Sequence, residues 1–322
     1  MKAVQIFQYG GPEVLELQEV QAKKPGKDQA LIRVEAAGVN FIDVYQRRGI
    51  YPVELPYIPG LEASGVVEAI GEGVNNVKPG DRVAYVHEPG SYAELALVKA
   101  EHLIPLPAEL SFEQGAAFPL QGMTAHYLIH EFRKIKLGDI VLIHAAAGGM
   151  GLILVQWAKH LGAHVLGTVS TEEKAKIAKE AGADEVILYT KHEFSTEVKR
   201  LTKGHGADLI IDGVGKTTFN GNLEAAAFRG NIVIFGAASG PADPILPNVL
   251  MKHSLTISGG SLSNYLLNKA DLQNRSKAVL EGIQQGWLKL KINSFPLEKA
   301  AEAHQELEER KTSGKLVLMT RR

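Results

Sequence analysis

The chain has 322 residues, which is enough for two domains with a large hydrophobic core. Its formal net charge is −1, so nucleic acid is an unlikely partner by charge, and no apolar run reaches transmembrane length. The lack of cysteine excludes disulfides, thiolate zinc sites and thiol catalysis, and it fits a cytoplasmic protein. Met1 and Lys2 lead straight into a strand-like segment, so we expect no signal peptide.

The first 120 or so residues contain short β-type runs separated by many glycines and prolines. This pattern predicts a compact, mostly antiparallel β domain, which we place at residues 1–122. Its clearest predicted strands are Leu31–Ala37, Gly65–Ala69, Arg82–Val86 and Ala93–Val98.

From about Gly138 to Gly260, β-type runs alternate with helical ones. This alternation predicts an α/β domain, at residues 123–265, with a doubly wound parallel sheet and helices on both faces. The clearest helix, Ser170–Ala181, opens on an apparent capping box at Ser170 and stops at Gly182. The predicted strands are Ile140–His144, His164–Val169, Glu185–Leu188, Asp208–Asp212, Asn231–Phe235 and Leu255–Ser258.

The last segment of the chain carries helical patterns near Lys269–Gly286 and Leu297–Arg310, followed by a strand at Leu316–Met319. We expect residues 266–322 to return to the first domain and complete it.

The most informative segment is Gly138–Lys159, in which a strand, a run of small residues and a helix follow one another. Ala146-x-Gly148-x-x-Gly151 is a GxGxxG motif whose first glycine is replaced by alanine. Small residues let the backbone approach a pyrophosphate, which the free N–H groups at the helix start then bind. The alternative is a tight turn that binds nothing.

The end of the second strand of this domain indicates which dinucleotide is bound. NAD enzymes usually carry an acid there, but this chain has Ser170 and Thr171, with Lys174 one helical turn later. A hydroxyl, a helix N-terminus and a lysine suit a 2′-phosphate, so we expect NADPH rather than NADH. The alternative is an ordinary N-cap with a solvated lysine, and Glu172 and Glu173 weaken the local positive field.

Nearly the whole chain resembles the medium-chain dehydrogenases/reductases, in which a GroES-like β domain precedes a Rossmann domain. Within that superfamily it is similar to the zinc-independent NADPH:quinone oxidoreductases related to zeta-crystallin. The matching segments are Gly38–Tyr51, Pro59–Val74, Lys78–Tyr85, Gly138–Lys159 and Phe235–Gly240.

The departures from the zinc alcohol dehydrogenases are also informative. Asn40 and the pair Leu61-Glu62 stand where those enzymes have a cysteine and a His-Glu pair that serve the catalytic zinc. Leucine cannot ligate a metal and asparagine is a poor zinc ligand, so we expect no metal. Without a Lewis acid, direct alcohol oxidation is not expected.

The resemblance also implies which residues form the site. It places the nicotinamide end of the cofactor near Asn40, Phe41, Asp43 and Tyr45. The candidate catalytic residues are Asn40, Asp43, Tyr45 and Tyr51, with the two tyrosines as candidates for stacking on or hydrogen-bonding to a planar acceptor. We expect Arg47 and Arg48 to shape the mouth of this site. The tyrosines could instead be packing residues, and Asn40 could merely bond backbone. The residues implied to bind NADPH are Phe41, Thr124, Tyr127, Ala146, Gly148, Gly149, Met150, Gly151, Ser170, Lys174, Tyr189, Phe235, Ser239, Gly240, Ser261 and Arg310.

Three functions are compatible with these observations. The first is an NADPH-dependent quinone oxidoreductase that transfers hydride without a metal. The second is an NADPH-dependent reductase of activated C=C bonds, and the third is a weakly catalytic NADPH-binding protein with a structural or RNA-binding role. We also expect a homodimer, because Leu255–Ser258 reads as an uncharged apolar edge strand that a monomer would leave open.

Overall fold

The computed structural model describes residues 1–321. The chain divides into two compact units. The first comprises Met1–Gly122, Leu266–Lys277 and Leu290–Arg322, and the second comprises Met123–Tyr265 and Ala278–Lys289.

The strands, in chain order, are β1 (Lys2–Gln5), β2 (Glu16–Glu19), β3 (Gln29–Val39), β4 (Glu62–Ile70), β5 (Arg82–Val86), β6 (Leu95–Lys99), β7 (Leu103–Pro105), β8 (Ile140–Ile143), β9 (His164–Val169), β10 (Glu185–Leu188), β11 (Ala207–Asp212), β12 (Ala226–Ile234), β13 (Thr256–Gly259), β14 (Ile292–Pro296) and β15 (Lys315–Met319). The α-helices are α1 (Phe41–Arg47), α2 (Phe112–Ala117), α3 (Pro119–His130), α4 (Gly149–His160), α5 (Glu172–Glu180), α6 (Phe194–Leu201), α7 (Phe219–Ala225), α8 (Lys269–Gln284) and α9 (Ala300–Glu308).

The first unit is built on a mostly antiparallel sheet with the order β14-β15-β3-β4-β5-β7, and β6 also pairs with β3. In β3 the side chains alternate between buried and partly exposed as far as Glu35, as expected of a strand with one face on the core. The C-terminal strand β15 lies antiparallel to β3, with Leu316 opposite Val39. The end of the chain therefore completes the sheet that its beginning starts.

The second unit is a six-stranded parallel sheet with the order β10-β9-β8-β11-β12-β13. This is the strand order of a doubly wound Rossmann fold. Strands β8, β9 and β10 follow one another toward one edge of the sheet, and β11, β12 and β13 follow one another toward the other edge. Its central strands are short apolar runs such as Ile140–Ile143, because both faces are covered. The predicted α/β fold class, a β-rich domain with a Rossmann domain, is confirmed.

The start of one predicted helix differs from the structure. The helix predicted to begin at Ser170 begins at Glu172, with Thr171 as its N-cap, because the Thr171 hydroxyl accepts the Lys174 N–H at 3.2 Å. The predicted capping box at Ser170 is therefore wrong, whereas the predicted stop at Gly182 matches a left-handed glycine (φ 110°) just after the helix.

Within residues 1–321, every helix is too short or too polar to span a bilayer.

The segment Ala278–Lys289 groups with the second unit, although the sequence pattern assigned all of 266–322 to the first. Two contacts hold it there. The Trp157 and Trp287 rings meet edge to face at 5.4 Å, and the Gln156 amide exchanges hydrogen bonds of 3.0 and 2.8 Å with the Lys289 backbone.

Candidate functional site

The glycine-rich turn between β8 and α4 is held in a shape that excludes larger side chains. Ala145 has a left-handed backbone (φ 51°), and its carbonyl accepts the Gly148 N–H at 2.9 Å. A Cβ added at Gly151 would lie 2.2 Å from the Ala145 oxygen, so only glycine fits. Helix α4 then begins at Gly149, with Gly148 as an N-cap that has no side chain to cover the first N–H groups. This is the cradle that a pyrophosphate needs.

The alanine at the first position of the motif is accommodated by a glycine on a neighbouring strand. Ala146 is buried, and its N–H donates to the Thr168 carbonyl at 3.1 Å. A Cβ added at Gly167 on β9 would lie 2.7 Å from Ala146 Cβ. The glycine on the neighbouring strand therefore makes room for the methyl group of Ala146.

A buried polar network ties together the strand ends beside this turn. His144 Nε2 lies 2.7 Å from Asn222 Oδ1, and Asn222 Nδ2 donates to Asp212 at 2.7 Å. Because the amide nitrogen faces the carboxylate, Asn222 Oδ1 must accept, so neutral His144 carries its proton on Nε2. His144 Nδ1 then accepts from the Thr168 hydroxyl at 2.9 Å, and burial lowers the pKa of His144.

The proposed 2′-phosphate region lies at the ends of β9 and β10. Ser170 is half-buried, Thr171 caps α5, and Lys174 lies in the first turn of that helix. Tyr189, just beyond β10, is 44% exposed. Glu172 pairs with Lys191 at 2.7 Å, so one of the two nearby acids is already neutralised by a cation.

The other residues predicted to bind the cofactor in the second unit differ in their surroundings. Ser239 Oγ donates to the Val214 carbonyl at 2.7 Å, and the next residue, Gly240, has φ 105°. Phe235 covers Gly213, where a Cβ would meet its ring at 2.6 Å. Ser261 is exposed, and Gly149 and Met150 belong to the first turn of α4.

Three further residues of that set are buried or lie in a different part of the chain. Thr124 is buried, and Tyr127 is buried with its hydroxyl donating to the Gly260 carbonyl at 3.0 Å and its ring stacked on Tyr265. Arg310 is exposed just after α9. The assignment of all sixteen residues to the cofactor stays a prediction.

In the first unit, Asn40 is the N-cap of α1 and is nearly buried, with 4% of its surface exposed. Its backbone N–H donates to Asp43 Oδ2 at 2.8 Å, which fixes the start of the helix. Its side chain is engaged elsewhere, since Asn40 Nδ2 donates to Glu62 Oε1 at 2.7 Å and Lys315 Nζ donates to Asn40 Oδ1 at 2.7 Å.

Glu62 and Lys315 form an ion pair that is almost sealed from solvent, with exposures of 0% and 3%. The second carboxylate oxygen of Glu62 accepts the Leu120 N–H at 2.7 Å. Gln121 Nε2 lies 3.5 Å from Asn40 Oδ1, and Gln121 Oε1 is a buried acceptor without a donor among the described residues. We call Asn40, Glu62 and Lys315 the Asn40 cluster.

Asp43 lies at one end of a series of four hydrogen-bonded side chains, in which each member donates to the next. Arg47 Nη1 lies 3.2 Å from His304 Nδ1, and because a guanidinium only donates, that nitrogen must accept. His304 therefore carries its proton on Nε2 and donates to the Tyr92 oxygen at 3.0 Å. Tyr92 in turn donates to Asp43 Oδ2 at 2.9 Å. Arg47, at the other end of this series, also forms an ion pair with Glu308, with Nη2 2.7 Å from Oε2.

All four residues of this series are fully buried, and burial shifts the pKa values of Asp43 and His304. Burial raises the pKa of Asp43 from 3.8 to about 7, against the opposing effect of the hydrogen bonds from Asn40 and Tyr92. Burial, assisted by Arg47, lowers the pKa of His304 to about 3. The expectation that Arg47 shapes the mouth of the site is wrong, because its side chain is 0% exposed. Arg48 is 56% exposed.

The aromatic residues of α1 and the loop after it form a small cluster. The rings of Tyr45 and Tyr51 meet edge to face at 5.4 Å, and Phe41 lies 6.2 Å from Tyr45. Tyr51 is 52% exposed, so part of this cluster faces solvent. A role in holding an acceptor stays a prediction for both tyrosines.

An open pocket of about 530 Å³ lies in the same unit. The Tyr57 hydroxyl at its wall donates to Gln46 Oε1 at 3.2 Å, which leaves the Gln46 amide N–H groups as donors. The pocket is lined by Gln46, Val53, Glu54, Leu55, Pro56, Tyr57, Leu61 and Pro89.

The sequence analysis names Asn40 and Asp43 as candidates but does not identify the residues that hydrogen-bond to them. Lys315, Tyr92 and His304 come from segments 275, 49 and 212 residues away from the groups they contact, and no local pattern marks them. Across the described part of the chain, no group of three or more His, Asp or Glu residues could hold a metal ion.

Comparison with known proteins matches both units. A family described as "Alcohol dehydrogenase GroES-like domain" matches residues 26–108, and one described as "Zinc-binding dehydrogenase" matches residues 149–281. A quinone oxidoreductase of Pseudomonas aeruginosa is 42% identical over 322 residues, covering 99% of both chains. A 2-haloacrylate reductase of a Burkholderia species is 41% identical, covering 98% of both.

Solved structures of related proteins also match nearly the whole chain. The quinone oxidoreductase of Escherichia coli, solved in complex with NADPH, has a TM-score of 0.96 and 38% identity, and the match covers 99% of this chain and 100% of that one. A second solved structure, of a mycobacterial protein complexed with NADPH, has a TM-score of 0.95 and 42% identity, covering 99% and 100%. With identities of this size over the full length, the chain belongs to the quinone oxidoreductase family of the medium-chain dehydrogenases/reductases.

Proposed function

We propose that this protein is an NADPH-dependent quinone oxidoreductase that needs no metal. The observation that carries the proposal is the turn at Gly148–Gly151, which is shaped for a pyrophosphate in a chain related over its full length to quinone oxidoreductases. Its small-molecule substrate is a quinone.

The residues present fit NADPH. The turn offers uncovered N–H groups at the start of α4 and a position, Gly151, that a Cβ would obstruct. Ser170, the N-terminus of α5 and Lys174 supply donors and positive charge for a 2′-phosphate, without an acid at the end of β9. When bound, NADPH supplies the hydride.

Residues of the first unit bind and orient the acceptor. A quinone is a good hydride acceptor, so the protein needs to orient the ring and to donate a hydrogen bond to the oxygen that gains charge. Tyr45 and Tyr51 offer aromatic faces, and the Asn40 amide offers the donor. Asp43 is buried behind the backbone of Asn40 and supports its position rather than contacting the acceptor.

The test is the rate of NADPH oxidation across quinones, enones and aldehydes, with and without EDTA. We expect quinones to be the best acceptors and EDTA to have no effect. Aldehyde turnover that disappears on chelation, together with about one zinc per chain by elemental analysis, would contradict the proposal.

Reduction of an activated C=C bond is the second candidate, because a relative named 2-haloacrylate reductase is as similar as the quinone oxidoreductases. Such a reaction needs a proton donor near the carbon next to the carbonyl. A higher kcat/KM for enones or haloacrylates than for any quinone would favour it. NADPH binding without turnover of any acceptor, together with a gel shift on RNA at about 150 mM salt, would instead indicate a non-catalytic role.

We further propose a cytoplasmic homodimer in which β13 pairs with its copy across a two-fold axis. In the described residues β13 pairs only with β12, so its outer edge offers unpaired backbone groups. The same region exposes Phe228 (75%), Leu246 (81%) and Met251 (76%), an apolar surface that suits a second copy. Light scattering at micromolar concentration tests this, and a monomeric mass would refute it. Cell fractionation tests the location.

A further inference from the structure

We infer that Lys315 is a positioning residue whose ammonium group orients and polarises the Asn40 amide toward the oxygen of the acceptor. The inference rests on the proposed function and deepens it, because it identifies what activates the hydrogen-bond donor.

The orientation of the Asn40 amide is fixed by chemistry at both of its atoms. Lys315 Nζ can only donate, so the atom 2.7 Å from it must be the carbonyl oxygen of Asn40. The Glu62 carboxylate accepts, so the atom 2.7 Å from it must be the amide nitrogen. A flipped amide would place a donor against the ammonium and an acceptor against the carboxylate. The Asn40 cluster therefore permits one orientation.

That orientation leaves one donor for a bound molecule. The amide nitrogen of Asn40 carries two hydrogens, and Glu62 takes one of them. No hydrogen bond within residues 1–321 uses the second N–H. Asn40 also keeps 4% of its surface exposed, whereas the Glu62 carboxylate is fully buried. The second N–H is thus the part of the cluster that a substrate can use.

The positive charge of Lys315 acts on this donor through the amide itself. Hydrogen bonds from a charged donor are stronger than neutral ones, and successive bonds polarise one another where water is excluded. An ammonium on Oδ1 draws electron density toward the oxygen and makes the N–H groups of Nδ2 better donors. An oxygen that gains negative charge during hydride transfer is therefore stabilised more than the neutral quinone.

Glu62 neutralises the buried charge of Lys315. A buried lysine alone would carry an uncompensated charge, but Lys315 and Glu62 are 3% and 0% exposed as a pair. The Leu120 N–H, at 2.7 Å, satisfies the second oxygen of the carboxylate. The cluster is neutral overall, and Lys315 keeps its charge against the oxygen of the Asn40 amide.

The experiment compares the wild type with K315M, the charge-neutral double variant E62Q/K315M, and K315R. Steady-state kinetics are measured with a set of para-quinones of different reduction potentials, and folding is followed by Tm. The double variant separates activation from stability, because it removes the cation without leaving Glu62 as an unpaired buried charge. E35Q is the matched control, since it removes the charge of another part-buried ion pair of the same unit, with Arg33, that does not contact the Asn40 cluster.

We expect kcat to fall by about tenfold or more in K315M and in the double variant, on the scale of a weakened oxyanion donor. The KM for NADPH should stay within about twofold, and the loss should be greatest for the quinones that are hardest to reduce. K315R, which keeps the charge, should recover part of kcat, and E35Q should keep wild-type kinetics. If K315M does not fold, the double variant carries the same expectation.

A double variant that folds and keeps wild-type kcat across the quinone set would overturn the inference and leave the proposed function intact. An equal loss for all quinones, with K315R no better than K315M, would also overturn it. A wild type that oxidises NADPH with no quinone at all would overturn the proposed function and this inference with it.

Discussion

Replacing Tyr92 with phenylalanine removes a single oxygen from the centre of the buried chain that ends at Asp43. That oxygen donates to Asp43 at 2.9 Å and accepts from His304 at 3.0 Å, and Tyr92 is 0% exposed. The variant leaves a buried N–H of His304 without an acceptor and the carboxyl group with one donor fewer. Each of the two groups that lose a partner costs about 1–3 kcal/mol, so we expect a loss of about 2–6 kcal/mol in the stability of the first unit.

The loss should depend on pH. Burial raises the pKa of Asp43 to about 7, so the group is largely neutral at pH 5.5 and largely charged at pH 8.5. A hydrogen bond to a charged group contributes about 1.5–3 kcal/mol, against about 0.5–1.5 kcal/mol for a neutral one. The difference between wild type and variant should therefore be larger at pH 8.5 by about 1 kcal/mol.

The assay is native-state hydrogen exchange of the amides in β3 and β4 at both pH values. These amides report on the first unit alone, whereas a chain of two units need not unfold in one step. Tyr57→Phe is the matched control, because its hydroxyl is only part-buried and donates to Gln46 at 3.2 Å. We expect that control to cost less than about 1 kcal/mol. A Tyr92→Phe variant no less stable than the control at either pH would refute the reasoning.

Three other variants test other parts of the molecule. Folded Asp43 keeps its proton up to about pH 7, whereas the unfolded chain releases it near 3.8, so its stabilising contribution is full below about pH 4 and lost as the pH rises toward 7. Asp43→Asn should abolish that fall in the urea unfolding free energy, and an unchanged pH slope would contradict the pKa. Gly151→Ala should weaken NADPH binding by about tenfold or more in calorimetry, because its Cβ would lie 2.2 Å from a backbone oxygen. Gly26→Ala, whose Cβ meets only the flexible end of Gln29 at 3.1 Å, should not. Lys174→Ala should cost NADPH about tenfold and NADH much less, and equal losses would show that the lysine does not contact the 2′-phosphate.

The sequence predicted the parallel sheet well because its information is local. A buried parallel strand is a short apolar run between turn residues, and β9 and β10 were predicted with the bounds they have. The predicted N-cap of α5 differs by one residue because serine and threonine at neighbouring positions both fit an N-cap, and the hydrogen bond from the Lys174 N–H selects Thr171.

The site of the first unit was only partly predictable. The resemblance pointed to Asn40 and Asp43, but it did not show that both are buried, or that Asp43 is bonded to Tyr92. Those facts depend on contacts between distant segments. The Lys315 side chain reaches Asn40 from 275 residues away, and neither periodicity nor spacing encodes such a pair.

The participation of the C-terminal segment has a consequence for biosynthesis. A ribosome releases the N-terminal strands long before β15, yet β15 pairs with β3, and Glu62 obtains its counter-charge only from Lys315. Arg47 likewise depends on His304 and Glu308 of α9. A nascent chain stalled or truncated before residue 300 therefore lacks the residues that neutralise Glu62 and Arg47. The first unit can complete its sheet and its buried ion pairs only after α9 and β15 have been synthesised.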